Sequence, residues 1–406
     1  MTSTTRIVLV AEHCWDGMAS EPTGPTAIIV ERGKIVAIGP AEVSIPAEEV
    51  IDLGALTLLP GLIDCHVHLL DEAFDTRPAA AQVLTALPPM RTLLNAGFTT
   101  VRDLGGARGA LNVALRQAQE QRTIEGPRLI VAPNILSAPG GHGDKKPELT
   151  QRLGVDVGVV ANSADQLRGQ VREQARVGAD WIKFAASGGF TSPADDPDQV
   201  AFSVEEMASI VDTARDFGLP CAAHAFNSES VIRALQAGVR SIEHANLASA
   251  EVFSRIADHD AYLVPTLHSP RYFIDNLDDD EFWSDSSQET RASVRDHADQ
   301  ILESSTYIAG SGVRIAFGTD AGMFPHSDNW REFEAMVDVG IPPLKALCSA
   351  TSTAAELLSR PDLGHLAAGA TADIVAVRGD PFTDISALSR VEFVMQEGRV
   401  HRALSS

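Results

Sequence analysis

The sequence predicts an α/β protein: a (β/α)8, TIM-type barrel beside a small β-sandwich built from both chain ends. Three observations predict it. The middle of the chain repeats one syntax, an amphipathic stretch, a Gly turn and a short apolar run. Those runs are apolar on both parities, the pattern of parallel strands buried on both faces. Each chain end carries short β-prone pieces that are too few to bury a core alone.

Taken in order, residues 6–10 (RIVLV), 27–38 (AIIVERGKIVAI) and 50–58 (VIDLGALTL) read as strands, with a hairpin turn around Gly33. LIDCHVHLL (62–70) opens the barrel. Six more strands follow Gly turns or lie within NAGFTTVRDL, EGPRLIVAPN, VGADWIKFAAS, FGLPCAAHAF, AGVRSIEHAN and SGVRIAFGTD. AYLVPTL (261–267), preceded by His259–Asp260 instead of Gly, completes the eight. Gly97, Gly126, Gly178, Gly218, Gly238 and Gly312 stand where a helix C-cap needs positive φ. Residues 270–290 are acidic and read as an irregular loop or lid. ADIVAV (372–377) and VEFVMQEGRVHR (391–402), with a turn at Glu397–Gly398, supply the C-terminal strands. Residues 1–57 with 359–406 are therefore expected as the sandwich and 58–358 as the barrel. An open doubly wound sheet fits less well, because no glycine-rich dinucleotide fingerprint follows the first strand.

Composition narrows the partners. With 32 basic against 55 acidic residues the formal charge is −23, which repels phosphate backbones and anionic headgroups. Neither nucleic acid nor membrane is expected, and a small molecule is. Cys14, Cys65, Cys221 and Cys348 lie far apart with no C-x-x-C pair, as in a reducing cytoplasm. The N-terminus lacks the basic start and long apolar stretch of a signal peptide, so the expected location is cytoplasmic.

Chemistry-bearing residues gather at the expected strand ends. His66 and His68 close strand one, His224 strand five, His244 strand six and Asp320 strand eight, and Lys183 lies on strand four. The C-terminal rim of such a barrel is where reactive groups converge. His66 and His68 share a face, with Cα atoms about 6–7 Å apart, so both imidazoles can tilt onto one metal.

On PGLIDCHVHL (60–69), TTVRDLGG (99–106), GGHGD (140–144), IKFAASGG (182–189), AHAF (223–226), IEHAN (242–246), GTDAG (318–322) and ATADIVAV (370–377), the chain resembles the amidohydrolase superfamily. The branch it resembles is imidazolonepropionase-like and prolidase-like, with a carboxylated lysine. The resemblance implies that His66, His68 and Asp320 bind one metal, and His224 and His244 a second. Lys183 bridges them as a CO2-derived carbamate, because an ammonium has no acceptor lone pair. Two dications about 3.5–4 Å apart repel by roughly 17–19 kcal/mol at an effective dielectric of about 20, so anions must separate them.

The activity so implied is cleavage of an amide bond in an N-acyl amino acid, dipeptide or related small molecule. The metals, zinc by expectation, lower the pKa of water toward about 7. Asp320 acts as acid and base. His142 is implied to contact the substrate. Arg102 either holds a carboxylate or braces the rim, and His268 and His326 either line the pocket or are solvated loop residues. Many prolidase-like relatives carry Tyr two residues after the strand-five His. Here Phe226 has no hydroxyl, which points away from ordinary dipeptides toward a more apolar or aromatic group. Alternatives are a cyclic amide, urea or carbamate as substrate. A deaminase fits less well, because Glu229 falls five residues after His224. A metal-free scaffold fits worst, because all six ligands are present. Related proteins imply a homo-oligomer.

Overall fold

The computed structural model describes residues 6–41, 49–70, 77–106, 108–144, 159–190 and 195–404. The terminal pieces form two sheets. One has the order Lys34–Pro40, Thr26–Glu31, Ile7–Ala11, Glu49–Asp52. The other runs Arg399–Arg402, Val391–Gln396, Ile374–Val377, Thr57–Pro60, His13–Cys14. Leu9, Ile28 and Ile35 from the first meet Leu58, Ile374 and Phe393 from the second in one apolar cluster. Side chains of a strand alternate between faces, and the second sheet uses both. Leu58, Ile374 and Ala376 join this terminal cluster, whereas Leu59, Val375 and Val377 join the main core. Thr57–Pro60 thus straddles the boundary expected at 57/58 and bonds the two parts of the chain through Ile374–Val377. The two hairpins turn at Arg32–Gly33 (φ 49° and 78°) and Glu397–Gly398 (φ 49° and 73°). A Cβ on Gly398 would lie 2.9 Å from the Cα of Gly33, so the tips meet only as glycines.

The middle of the chain is an α/β structure whose strands all pair in parallel. Leu62–Val67, Phe98–Asp103 and Arg128–Val131 form a three-stranded sheet. Val159–Val160, Ile135–Ser137, Ile182–Ala185, Cys221–Asn227, Ser241–Leu247 and Tyr262–Val264 form a six-stranded one. The expected third strand forms over Arg128–Val131, and a further short strand, Ile135–Ser137, follows it in the other sheet. Trp181 N–H donates to the Val131 carbonyl at 3.2 Å, tying the sheets at that edge. The expected eighth strand is only isolated bridges, Leu263↔Ile315 and Val67↔Ala321. Its backbone still bonds both ways: Ala316 N–H reaches the Leu263 carbonyl and Cys65 N–H the Phe317 carbonyl, at 2.9 and 2.8 Å.

Helices fill the intervals and end as the glycines suggest. Ala164–Val177 and Ser228–Ala237 close on left-handed Gly178 and Gly238. Gly126 and Gly312 cap no helix, because the helices before them end at Glu120 and Thr306. Gly126 also lacks a positive φ, and a side chain there would strike Met90 Cβ at 3.0 Å. Residues 270–290 also differ from expectation. His268–Asp275 is a helix, turns follow, and a second helix starts at Gln288. The reason is aromatic packing that an acidic composition hides. Tyr272, Phe273, Phe282 and Trp283 cluster with ring centroids 5.2–5.9 Å apart. Asp278 and Asp280 stay at the surface, paired with Arg295 and Arg291. Among the described residues no helix is long and apolar enough to cross a membrane.

Candidate active site

The carboxyl ends of the parallel strands surround a cavity that is partly open to solvent. Its polar lining includes His66, His68, His142, Lys183, His224, His244 and Asp320. Residues 254 apart in sequence meet here because every strand runs the same way and delivers its last side chains to one end. The four strand-end imidazoles form a continuous cluster. Ring centroids are 5.2 Å apart for His66–His68, 4.9 Å for His66–His244 and 4.8 Å for His224–His244.

Each imidazole has one nitrogen committed to a protein partner. His66 Nδ1–H donates to Glu243 at 2.9 Å, and His68 Nδ1–H to the Gly105 carbonyl at 2.7 Å. His224 Nε2–H donates to the Gly188 carbonyl at 3.0 Å, and His244 Nδ1 bonds the Thr266 hydroxyl at 2.7 Å. Such partners fix ring orientation and tautomer, so the opposite nitrogen is the ligating one. For His66 and His68 that atom is Nε2, 3.3 and 3.2 Å from Asp320 Oδ1. These three ligating atoms lie within 4.8 Å of one another, a set able to hold a metal ion. Burial, above all, holds His66, His224 and His244 well below the ordinary imidazole range. Next in effect are the Lys183 charge for His66, His142 for His224 and His66 for His244. Neutral imidazole is the form that binds metal.

The backbone is strained at this rim. His244, Thr266 and Asp320 are non-glycine residues with φ of 76°, 47° and 63°. Each such residue costs on the order of 1–3 kcal/mol, tolerated where the surroundings over-determine it. Thr319 supports Asp320 by donating its hydroxyl to Asp64 at 2.7 Å. Burial raises the Asp64 carboxyl to about 7.

One wall of the cavity is apolar. Phe190, Phe226, Phe273, Val294, Ile301 and Met323 line it. Phe226 stacks on His244 with centroids 5.1 Å apart and meets Phe190 edge-on at 5.3 Å. Val294 and Ile301 come from the helix Gln288–Thr306, which the sequence left unassigned to the site.

Three expected substrate contacts lie outside this lining. Arg102 is fully buried beneath the rim, donating to Glu243 at 2.9 Å and to Ser241 at 3.1 Å, with its guanidinium 4.3 Å from the Trp181 ring centroid. Its side chain faces this buried polar cluster and not the cavity. The His268 ring packs on Phe324 at 4.7 Å, and its neighbour Ser269 faces the cavity instead. His326 Nε2–H donates to the His68 carbonyl at 2.9 Å, behind the ligand. His142 and Phe226 do line the cavity.

Sequence reasoning missed Glu243, Asp195 and Thr266. Glu243 precedes His244 and by strict alternation would point away from the site. The positive φ of His244 and Ala245 breaks that alternation, so both side chains serve the same cluster. Nothing in the sequence separates Asp195 from the nearby Asp196 and Asp198.

Parallel strands that bring His, His and Asp to one rim define an α/β protein with a candidate metal centre at their carboxyl ends. The chain belongs to the amidohydrolase family, whose model matches residues 57–404. It is similar to ochratoxinase of Aspergillus niger, 29% identical over 395 residues that cover 90% of this chain and 80% of that one. A solved Xaa-Pro dipeptidase with methionine in its active site superposes with TM-score 0.89 at 31% identity, covering 98% of this chain and all (100%) of that one. A prolidase complexed with N-methylphosphonate-L-proline gives 0.88 at 33%, with coverage of 98% and 100%. This protein is thus a hydrolase of a generally metal-dependent family, with a His66–His68–Asp320 group in place for an ion.

Proposed function

We propose that this chain is a binuclear, zinc-dependent hydrolase cleaving the amide of an N-acyl amino acid or dipeptide-like molecule that carries an apolar flank. One observation carries the reading: four oriented imidazoles, Asp320 and the buried Lys183 line a single cavity. His66, His68 and Asp320 would hold one ion, and His224 and His244 the other. Lys183 would join them as a carbamate. Burial of a plain ammonium among these imidazoles is costly, which supports its conversion to an anion. When bound, the ions lower the pKa of water and polarise the substrate carbonyl. In this reading the two parallel sheets and residues 314–320 close as one (β/α)8 barrel, with the terminal sheets as a separate sandwich.

The residues' own work follows. Asp320 Oδ2, 3.3 Å from the Ser269 hydroxyl, takes a proton as water adds to the amide carbon. It returns that proton to the nitrogen as the C–N bond breaks, leaving a carboxylic acid and an amine. His142 accepts a hydrogen bond through Nε2 from a donor of the substrate such as the amide N–H. The wall of Phe190, Phe226 and Phe273 receives the apolar flank and excludes water. The ochratoxinase and dipeptidase relatives support an amide-type substrate. The test is amine release from N-acyl amino acids, dipeptides, ureas and carbamates, together with metal analysis. Expected are about two ions per chain and preference for aromatic or branched N-acyl groups. Selective Xaa-Pro cleavage overturns the apolar-flank preference drawn from Phe226, and a ureas-only activity overturns the amide reading.

A further inference from the structure

The chain gives His142 a dedicated carboxylate. Its Nδ1 lies 2.6 Å from Asp195 Oδ2, and the Asp195 side chain is fully buried. The other oxygen, Oδ1, accepts the Gly189 N–H. The His142 ring also lies flat on His224, with centroids 4.1 Å apart and planes 7° from parallel. It is therefore held along one edge and across one face.

Two glycines make room for this pair. A Cβ on Gly189 would lie 2.7 Å from His142 Cε1 and 3.2 Å from Asp195 Oδ2. A Cβ on Gly188 would lie 2.9 Å from Asp195 Oδ1. Both are closer than ordinary van der Waals contact, so any side chain here would push the ring or the carboxylate aside. Gly188 also accepts the His224 hydrogen bond. One short loop therefore sets His142 and His224 together.

Closing the loop does not require the aspartate. Gly188 N–H donates to the Gln199 carbonyl at 3.2 Å, and Ala201 N–H to the Ala186 carbonyl at 2.9 Å. The loop that carries His142 is likewise self-braced, by Gly143 N–H to the Ser137 hydroxyl at 3.0 Å and Asp144 N–H to the Gly141 carbonyl at 2.9 Å. What the carboxylate adds is ring orientation and tautomer. With Nδ1–H donated to Asp195, Nε2 is the atom that meets the substrate.

We propose that Asp195 is a positioning residue that fixes His142 with Nε2 toward the substrate, and that Gly189 is glycine to admit this pair. The inference rests on the hydrolase reading for its kinetic consequence but not for its geometry. Asp195→Asn is the informative variant. It keeps the size of the side chain and an acceptor for Gly189 N–H, but sets an NH2 donor against Nδ1. The His142 proton must then move to Nε2.

In zinc-loaded, 15N-histidine-labelled protein, NMR should show a His142 Nδ1–H resonance that Asp195→Asn abolishes. The same variant should lower kcat about 10- to 100-fold with KM and zinc content unchanged. Asp195→Glu, which restores a carboxylate, should recover part of the rate. Gly189→Ala should reproduce the loss by displacing the ring from the other side. A wild-type His142 without a protonated Nδ1, or an Asp195→Asn enzyme with wild-type kcat, overturns the proposal. If wild type cleaves none of the amides, the hydrolase reading fails while the NMR comparison still decides the geometry.

Discussion

Replacing Arg102 with Met tests whether this buried cation braces the rim or reaches substrate. Arg102 has no exposed surface and donates to the Cys65 carbonyl, to Ser241 and to both oxygens of Glu243. Met keeps an unbranched stem without the guanidinium, so the change removes the charge and its hydrogen bonds and leaves a small void. The Glu243 carboxylate is left buried with His66 and Ser241 as its remaining partners. Removing one member of a buried ion pair costs about 3–5 kcal/mol. With an unfolding entropy of about 2.1 cal/mol/K per residue over 406 residues, the melting temperature should fall by about 4–6 °C. Because Glu243 also orients His66, metal affinity should fall about 10- to 100-fold. KM should change little at saturating zinc. Thermal unfolding by circular dichroism, metal titration and steady-state kinetics read the three quantities separately. An unchanged melting temperature, with KM raised only for carboxylate-bearing substrates, would refute the bracing role.

Three further outcomes are expected. Lys183→Ala should lower bound metal from about two ions per chain and reduce activity by more than the ~100-fold typical of losing an outer-shell partner. Elemental analysis and intact mass, the latter reading the CO2 adduct in wild type, check it. Phe226→Ala should remove apolar contact worth about 1–3 kcal/mol. That lowers kcat/KM for aromatic N-acyl substrates roughly 10-fold or more relative to N-acetyl ones, in a competition assay. Burial holds the His326 ring down to about 4 from 6.5, so the unfolded chain takes up this proton first as pH falls. Its contribution, roughly 3 kcal/mol, is fully present above pH 6.5 and lost as pH approaches 4. His326→Gln, which keeps a donor for the His68 carbonyl, should flatten the melting-temperature profile across that window.

The amino-acid sequence by itself determined the alternation of strands and helices and the residues that close the strands. His66, His68, Lys183, His224, His244 and Asp320 were legible because strand direction and local spacing are short-range properties that send these side chains to one rim. Only the tertiary structure decided what holds them. Glu243 reaches His66 across 177 residues and Asp195 reaches His142 across 53, and no local pattern marks either pair. It also decided that Arg102 lies beneath the rim, because the direction of a long side chain is set by the charges packed around it. His244 and Asp320 depart from simple alternation through left-handed backbone, a conformation that neighbouring strands impose and propensity disfavours. The acidic stretch after residue 270 became helix and turns for the same reason: its aromatic residues found partners that appear only once the chain is folded.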